Sequence, residues 1–422
     1  MVEFAPRAVA EVLFALYITI KPRENDPMRL ALPLLLILPS TIFAQAPSFT
    51  AVLTKGEPQS GRLERIDADE SVTLNGVTIP LVQLVELGRD DVAVPPMPTE
   101  PHFVLSTGDR IVGELIDADE NGLRFRPRWG IDPPSVPIRI PMSYAGVLWL
   151  VRSDSLLARD ARWRDILGGD RKRDMLLLRN RDVLSGLLTK LDPAKKLGTI
   201  DTTEFDASRL AAIAFNTSLA RTRKPTKPYA VVTLANGTRL TLVRWTSDDQ
   251  TLTGESLFGT AITIRLRDLV HLRILNGKVV YLSDLKPTKY NEKPYLGATW
   301  GWSADSAWGQ PLTLNLPKIG PSVFDKGIAM HSTSTITYSL GGRYSQFQSK
   351  VGVQHGCTGT VEIVVMLDGK RVELHEIAPN SIHSLNIDVT GAKEMVLNVN
   401  FGRGGSVQDQ VDWVDTRLFR KD

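Results

Sequence analysis

One cysteine, Cys357, stands in 422 residues. An internal disulfide is excluded, so whatever folds here is held by apolar cores. Excess charge of one sign is missing too. Fifty Lys and Arg against 47 Asp and Glu leave a net +3, too little to mark a nucleic-acid binder. Histidine is sparse, six in all. His355 and Cys357 stand at tight spacing but lack a second ligand pair, so no metal site is expected and Cys357 reads as a buried or reactive free thiol. Long apolar runs are absent as well. The Leu30–Leu38 run is short and flanked by prolines, and Val9–Ile20 is shorter than a comfortable span. Helical periodicity is scarce after residue 47; the one amphipathic stretch is Leu156–Leu167.

From Met28 the chain reads MRLALPLLLILPSTIFAQAPS. A positive end, a short apolar core and small residues at Ala44 and Ala46 describe a secretion signal. Residues 1–46 are read as a start-site extension followed by that signal, with Met28 the natural start. The expected location is secreted, periplasmic or cell envelope.

The mature chain then repeats itself. TKGEPQSG, STGDRIVG, RNRDVLSG and ANGTRLTL are each followed six residues later by an aspartate, Asp67, Asp119, Asp192 and Asp248. Each unit closes on a second apolar stretch starting at Ile79, Ile140, Phe205 or Ile264. Four units in register place β repeats at 47–93, 102–153, 175–219 and 229–277, with a helical, basic connector at 154–174. Each reads as strand, tight turn, strand, Asp-bearing turn and further strands, forming small barrels or a stack. The aspartates are read as turn formers, since Asp bonds its own backbone two residues on.

The texture changes at 280–422. Ile336, Tyr338 and Leu340 alternate with Thr335, Thr337 and Ser339. Val361, Ile363, Val365 and Leu367 form a second apolar row, Leu385, Ile387 and Val389 a third, and Met395, Leu397, Val399 and Phe401 a fourth. Such rows build a two-sheet sandwich. The fold expected for the whole chain is all-β, repeated small β units followed by a β-sandwich.

Several stretches of this last region occur in a familiar order: YLSDL, SAWGQPLTL, DKGIAMHS, ITYSLGGRYSQFQSKVGV, LDGKRV, DVTGAKEMVLNV and DWVDTRLF. Together they resemble the NPCBM domain, a family of carbohydrate-binding modules. The resemblance implies a galactose-binding-like jelly roll and a glycan or polysaccharide partner. After VGV, where the family commonly shows acidic residues, this chain has Gln354, His355, Gly356 and Cys357. No cofactor is expected, since a calcium held by that loop in relatives would lose its carboxylates here.

Sugar recognition needs flat aromatic faces and a few fixed polar groups. Trp300, Trp302 and Trp308 lie in GATWGWSADSAWGQ, a loop-like segment suited to exposing rings. His331, before a run of hydroxyl residues, reads either as a sugar-hydroxyl donor or as a His bonded to backbone. Asp409 and Asp412, with Asp415, supply carboxylates, which straddle both faces of a strand or pair with Arg403 or Arg417. Trp413 reads as core. The expected carbohydrate-binding residues are thus Trp300, Trp302, Trp308, His331, Asp409 and Asp412. No paired carboxylates on a large cleft are evident, so no catalysis is expected. The rival reading is a cell-envelope scaffold whose module docks a protein. Nucleic acid, suggested by the basic Arg159–Arg173 and Arg221–Lys227, is disfavoured by the export signal and low net charge.

Overall fold

The computed structural model describes residues 47–421 apart from 68–69, 91, 93, 96–97, 130–135, 153–170, 221–224, 295–296, 298 and 318. The expected secretion signal, the helix expected at Leu156–Leu167, most of the expected 154–174 connector and half of the Arg221–Lys227 stretch lie outside the described residues. Every longer element that is described is a strand, and the helices are three-residue 3₁₀ turns. The all-β expectation holds.

In the first unit, Ser48–Leu53 pairs on one side with Gln59–Asp67 and on the other with Leu84–Arg89. Ser71–Leu74 and Val77–Pro80 continue outward from Gln59–Asp67. The strand order is therefore fourth, third, second, first, fifth. The same order recurs at His102–Trp149 and at Tyr229–Leu275. It recurs again at Asp174–Ala214, where the second strand is broken into Val183–Gly186 and Leu188–Asp192. Between the fourth and fifth strands each unit makes a three-residue 3₁₀ turn: Leu81–Gln83, Met142–Tyr144, Ala207–Arg209 and Leu266–Asp268. The closing apolar stretch that reads as continuous in sequence is thus two strands with a corner between them. Three of the four turn aspartates, Asp119, Asp192 and Asp248, accept backbone N–H groups. Asp119 Oδ1 accepts from the N–H groups of Asn121 (2.8 Å) and Gly122 (3.1 Å), and Asp248 Oδ1 from Gln250 (2.8 Å) and Thr251 (2.6 Å).

No unit closes alone. The fifth strand of the first lies against the fifth of the fourth, His271 opposite Gly88 and Arg273 opposite Glu86. Their second strands also touch, Ile66 opposite Ser247. Following the pairings gives a closed circuit of six strands, three from each unit. The second and third units do the same through Leu148 opposite Ile213 and Ala118 opposite Leu191. The repeats are two barrels in nested order, first with fourth and second with third, bridged at Arg110 and Arg239. Phe49, Phe103, Leu176 and Val232, one from each first strand, are buried in one shared core. Pairing also covers the fifth-strand edge that each single unit would present, while each fourth strand keeps one partner.

The C-terminal unit stacks two sheets. One runs Ser303–Ala304, Gly327–His331, Gln410–Arg420, Tyr344–Val353, Ile382–Asp388; the other runs Lys289–Glu292, Ser334–Ser339, Glu394–Phe401, Val361–Leu367, Lys370–Ile377. Ile328, Ile336, Tyr338, Ile363, Leu397 and Trp413 fill the space between them. Phe401, expected in the fourth inward row, is instead 49% exposed, because it is the last residue of its strand. A hairpin, Leu312–Leu316 with Gly320–Phe324, lies over the outer face of the first sheet.

An ionic seam ties sandwich to repeats. Glu86 of the first repeat lies 3.3 Å from both Arg273 of the fourth and Arg417 of the sandwich, and 3.4 Å from His271. Arg273 also meets Asp415 at 2.8 Å. Asp325 of the sandwich receives Arg110 at 3.3 Å and Arg239 at 3.4 Å. Neither Asp415 nor the other two aspartates pairs with Arg403, which faces Glu376.

Candidate functional site

Along Gly327–His331, Ile328 and Met330 point into the sandwich core, which sends Ala329 and His331 to the outer face. The His331 ring lies flat beneath the Trp300 indole, with centroids 4.9 Å apart and planes 3° from parallel. His331 itself is 5% exposed. Its Nδ1 is 2.7 Å from the Ser332 carbonyl oxygen, and since a carbonyl only accepts, the proton sits on Nδ1. The ring is therefore a fixed floor under Trp300, which is 46% exposed.

Trp300 is held from its other sides as well. Trp308 packs edge-on at 5.4 Å and donates its indole N–H to the Trp300 carbonyl at 2.8 Å. The Glu292 carboxylate accepts from the backbone N–H groups of Trp300 and Gly301, each at 2.8 Å, and from the Tyr290 hydroxyl at 3.1 Å. Burial, with the Glu292 charge beside it, pushes the Tyr290 phenol up, so it stays a donor. A half-open aromatic face in a loop rigid enough to hold its plane is the outcome.

The remaining expected residues stand elsewhere. Trp302 packs against the sandwich core instead of standing beside Trp300. Asp409 is fully buried, its Oδ2 accepting the Ser332 hydroxyl at 2.6 Å, so it braces the turn after His331 and meets no solvent. Burial raises its carboxyl, although Ser332 and the nearby His331 oppose the rise. Asp412 is also fully buried, beneath the covering hairpin, where the Thr313 N–H donates to its Oδ2 at 2.7 Å and its Oδ1 finds no partner. Its carboxyl is pushed up to about 8 by burial. The surface is thus built from Trp300 and Trp308, with His331 and Asp409 as support; Trp302 is partly buried against the sandwich core and Asp412 belongs to the interior. A β-strand places alternate residues on opposite faces but does not say what covers a face, so Asp412 could not be assigned from parity alone.

Cys357 donates its thiol to Gln410 Oε1 at 3.2 Å and is half-buried. Burial, with Asp412 and Asp409 adding to it, pushes its pKa up, which disfavours the thiolate that a reactive cysteine needs. Glu292 and Tyr290 went unmarked in the sequence, because KYNE carries no pattern that distinguishes a loop anchor from an exposed strand. Among the described residues, Glu373, His375 and His383 bring donor atoms close enough to share an ion, away from Trp300 on the outermost strands. No described helix is long and apolar enough to cross a membrane.

No curated protein matches the chain. Solved structures similar to parts of it include a CBM51 from Clostridium perfringens GH95 in complex with methyl-galactose, 25% identical, covering 33% of this chain and 99% of that one at a TM-score of 0.31. The CBM51-2 and INT domains from Clostridium perfringens ZmpB, in complex with GlcNAc, are 22% identical over 40% of this chain and 36% of that one, also at 0.31. The tandem CBM51 modules of Sp3GH98 from Streptococcus pneumoniae SP3-BS71 are 13% identical over 76% and 89%, at 0.31. The family model of the NPCBM/NEW2 domain matches residues 278–419. The C-terminal third of the chain is thus similar to the NPCBM/NEW2 domain.

Proposed function

We propose that this chain is an exported, non-catalytic carbohydrate-binding protein. Its C-terminal domain holds glycan on Trp300, with Trp308 at the rim, and its paired barrels serve as spacer or second interaction surface. The observation that carries the reading is the Trp300 ring, 46% exposed yet stacked on His331 and pinned through Glu292 and Trp308. An aromatic side chain left that open while being fixed that firmly suits C–H contacts to a sugar ring. The family match over 278–419 supports carbohydrate as the ligand class. Binding without hydrolysis is favoured because Asp409, Asp412 and Asp415 are engaged by Ser332, Thr313 and Arg273. Export rests on the Met28–Ser48 signal pattern.

The test is retention of the full chain on galactose-type and amino-sugar glycans and on insoluble polysaccharides. Trp300→Ala is expected to weaken retention at least tenfold with an unchanged melting temperature, since the ring is half outside the core. Trp302→Phe should leave retention alone. Retention that survives Trp300→Ala, or a folded protein that retains no glycan, would remove the platform and leave protein docking as the use of this face.

A further inference from the structure

Lys370–Ile377 and Ile382–Asp388 are the outermost strands of the two sandwich sheets, one from each layer. Glu373 and His375 sit on the first and His383 on the second. Parity turns all three inward. Leu385 and Ile387 are buried, and His383 begins their row; Glu373 and His375 lead in steps of two to the buried Ile377. An inward position at a sandwich rim ordinarily carries an aliphatic side chain. Here two imidazoles and a carboxylate face each other across the gap between the sheets.

They are already gathered. Glu373 Oε2 lies 2.7 Å from His375 Nε2, and the His375 and His383 rings stack with centroids 3.4 Å apart. One donor atom from each residue lies within 4.8 Å of the others. Tetrahedral zinc, with ligand bonds of about 2.0–2.2 Å, asks for donors roughly 3.3 Å apart. A donor shift of about 1.5 Å would close that difference, and all three side chains are half-buried rather than enclosed. Two imidazoles and one carboxylate suit zinc-like ions, whereas calcium and magnesium prefer all-oxygen sets. Three protein ligands at a half-open rim leave a fourth position for water.

We propose that Glu373, His375 and His383 bind a divalent ion of the zinc class, which clips the two sheets together at their outermost strands. The site is independent of the Trp300 face, so either reading stands without the other.

The experiment is calorimetric titration of the full chain, stripped with chelator, using zinc chloride, alongside thermal melts with and without zinc. One saturable equivalent and a higher melting temperature in zinc are expected. His383→Leu extends the apolar row of Leu385 and Ile387, so it should fold, lose the equivalent and melt at the same temperature with or without zinc. Glu373→Gln, nearly isosteric and half-exposed, should weaken binding at least tenfold and serves if the leucine variant does not fold. A wild-type chain without saturable uptake, or either variant binding as tightly as wild type, would overturn the site.

Discussion

Asp412 shows what a single buried carboxyl does to a sandwich. It stands under the Leu312–Leu316 strand with one accepted hydrogen bond and one orphaned oxygen. Burial holds its folded pKa at about 8, far above an unfolded aspartate. The folded state therefore keeps the proton longer. The stability associated with this group is complete below about pH 4 and is lost as pH rises towards 8. Asp412→Asn keeps an acceptor for the Thr313 N–H and removes the charge. It is expected to raise the melting temperature at pH 8 and to make no difference at pH 3.5. Across that window the wild-type stability should fall, relative to the variant, by up to ~1.4 kcal/mol per pH unit. Denaturation midpoints of both proteins over pH 3.5–8.5 check this; parallel curves would mean that water reaches Asp412.

At the level of strands and turns, much of each repeat was legible. The spacing of Gly-bearing turns and of Asp67, Asp119, Asp192 and Asp248 marks the hairpins, because only certain residues cap such turns. The 3₁₀ corners were hidden, since Leu81–Gln83 or Met142–Tyr144 keeps the apolar tone of the strands on both sides. Which repeat pairs with which was hidden too, as each offers a similar fifth strand. In the sandwich the apolar rows were plain, whereas the Trp300–His331 stack joins a loop and a strand with no shared period. Glu373, His375 and His383 escaped notice because two strands of opposite sheets bring them together. One element-scale test follows from Gly146 at the corner of the second repeat. A Cβ there would lie 2.5 Å from the Val104 carbonyl oxygen and 3.0 Å from the Leu105 carbonyl carbon, both backbone. Gly146→Ala should cost roughly 1–3 kcal/mol through overpacking, read as a lower denaturant midpoint with an unchanged slope.

Across the whole molecule, the seam around Glu86 and Asp325 decides how firmly the sandwich is attached. Burial by itself would raise both carboxyls. The His271, Arg273 and Arg417 groups around Glu86, and Arg239 and Arg110 beside Asp325, instead hold each well below its ordinary value. Their contribution is present above the unfolded carboxylate pKa of about 4 and is lost as pH falls further. Acid is therefore expected to loosen the seam before it unfolds the largely apolar barrel core. Asp325→Asn leaves Arg110 and Arg239 facing a neutral side chain in a largely buried seam, and breaking such a pair costs at most about 3–5 kcal/mol. Limited proteolysis at pH 7 should cut the variant between repeats and sandwich while the wild type stays whole; equal resistance would show that apolar contacts suffice.

The nested order of the barrels bears on how the chain comes into being. A polypeptide emerges from its amino end, and the partner of the first repeat is the last. The second and third units can close on each other as soon as residue 214 is available, but Ser48–Arg89 must wait for Tyr229–Leu275. Through that interval its Leu84–Arg89 strand has an unanswered edge, which invites association with other chains. Slow delivery of the fourth repeat, or a chain cut short before it, is therefore a route to aggregates seeded by the first repeat alone.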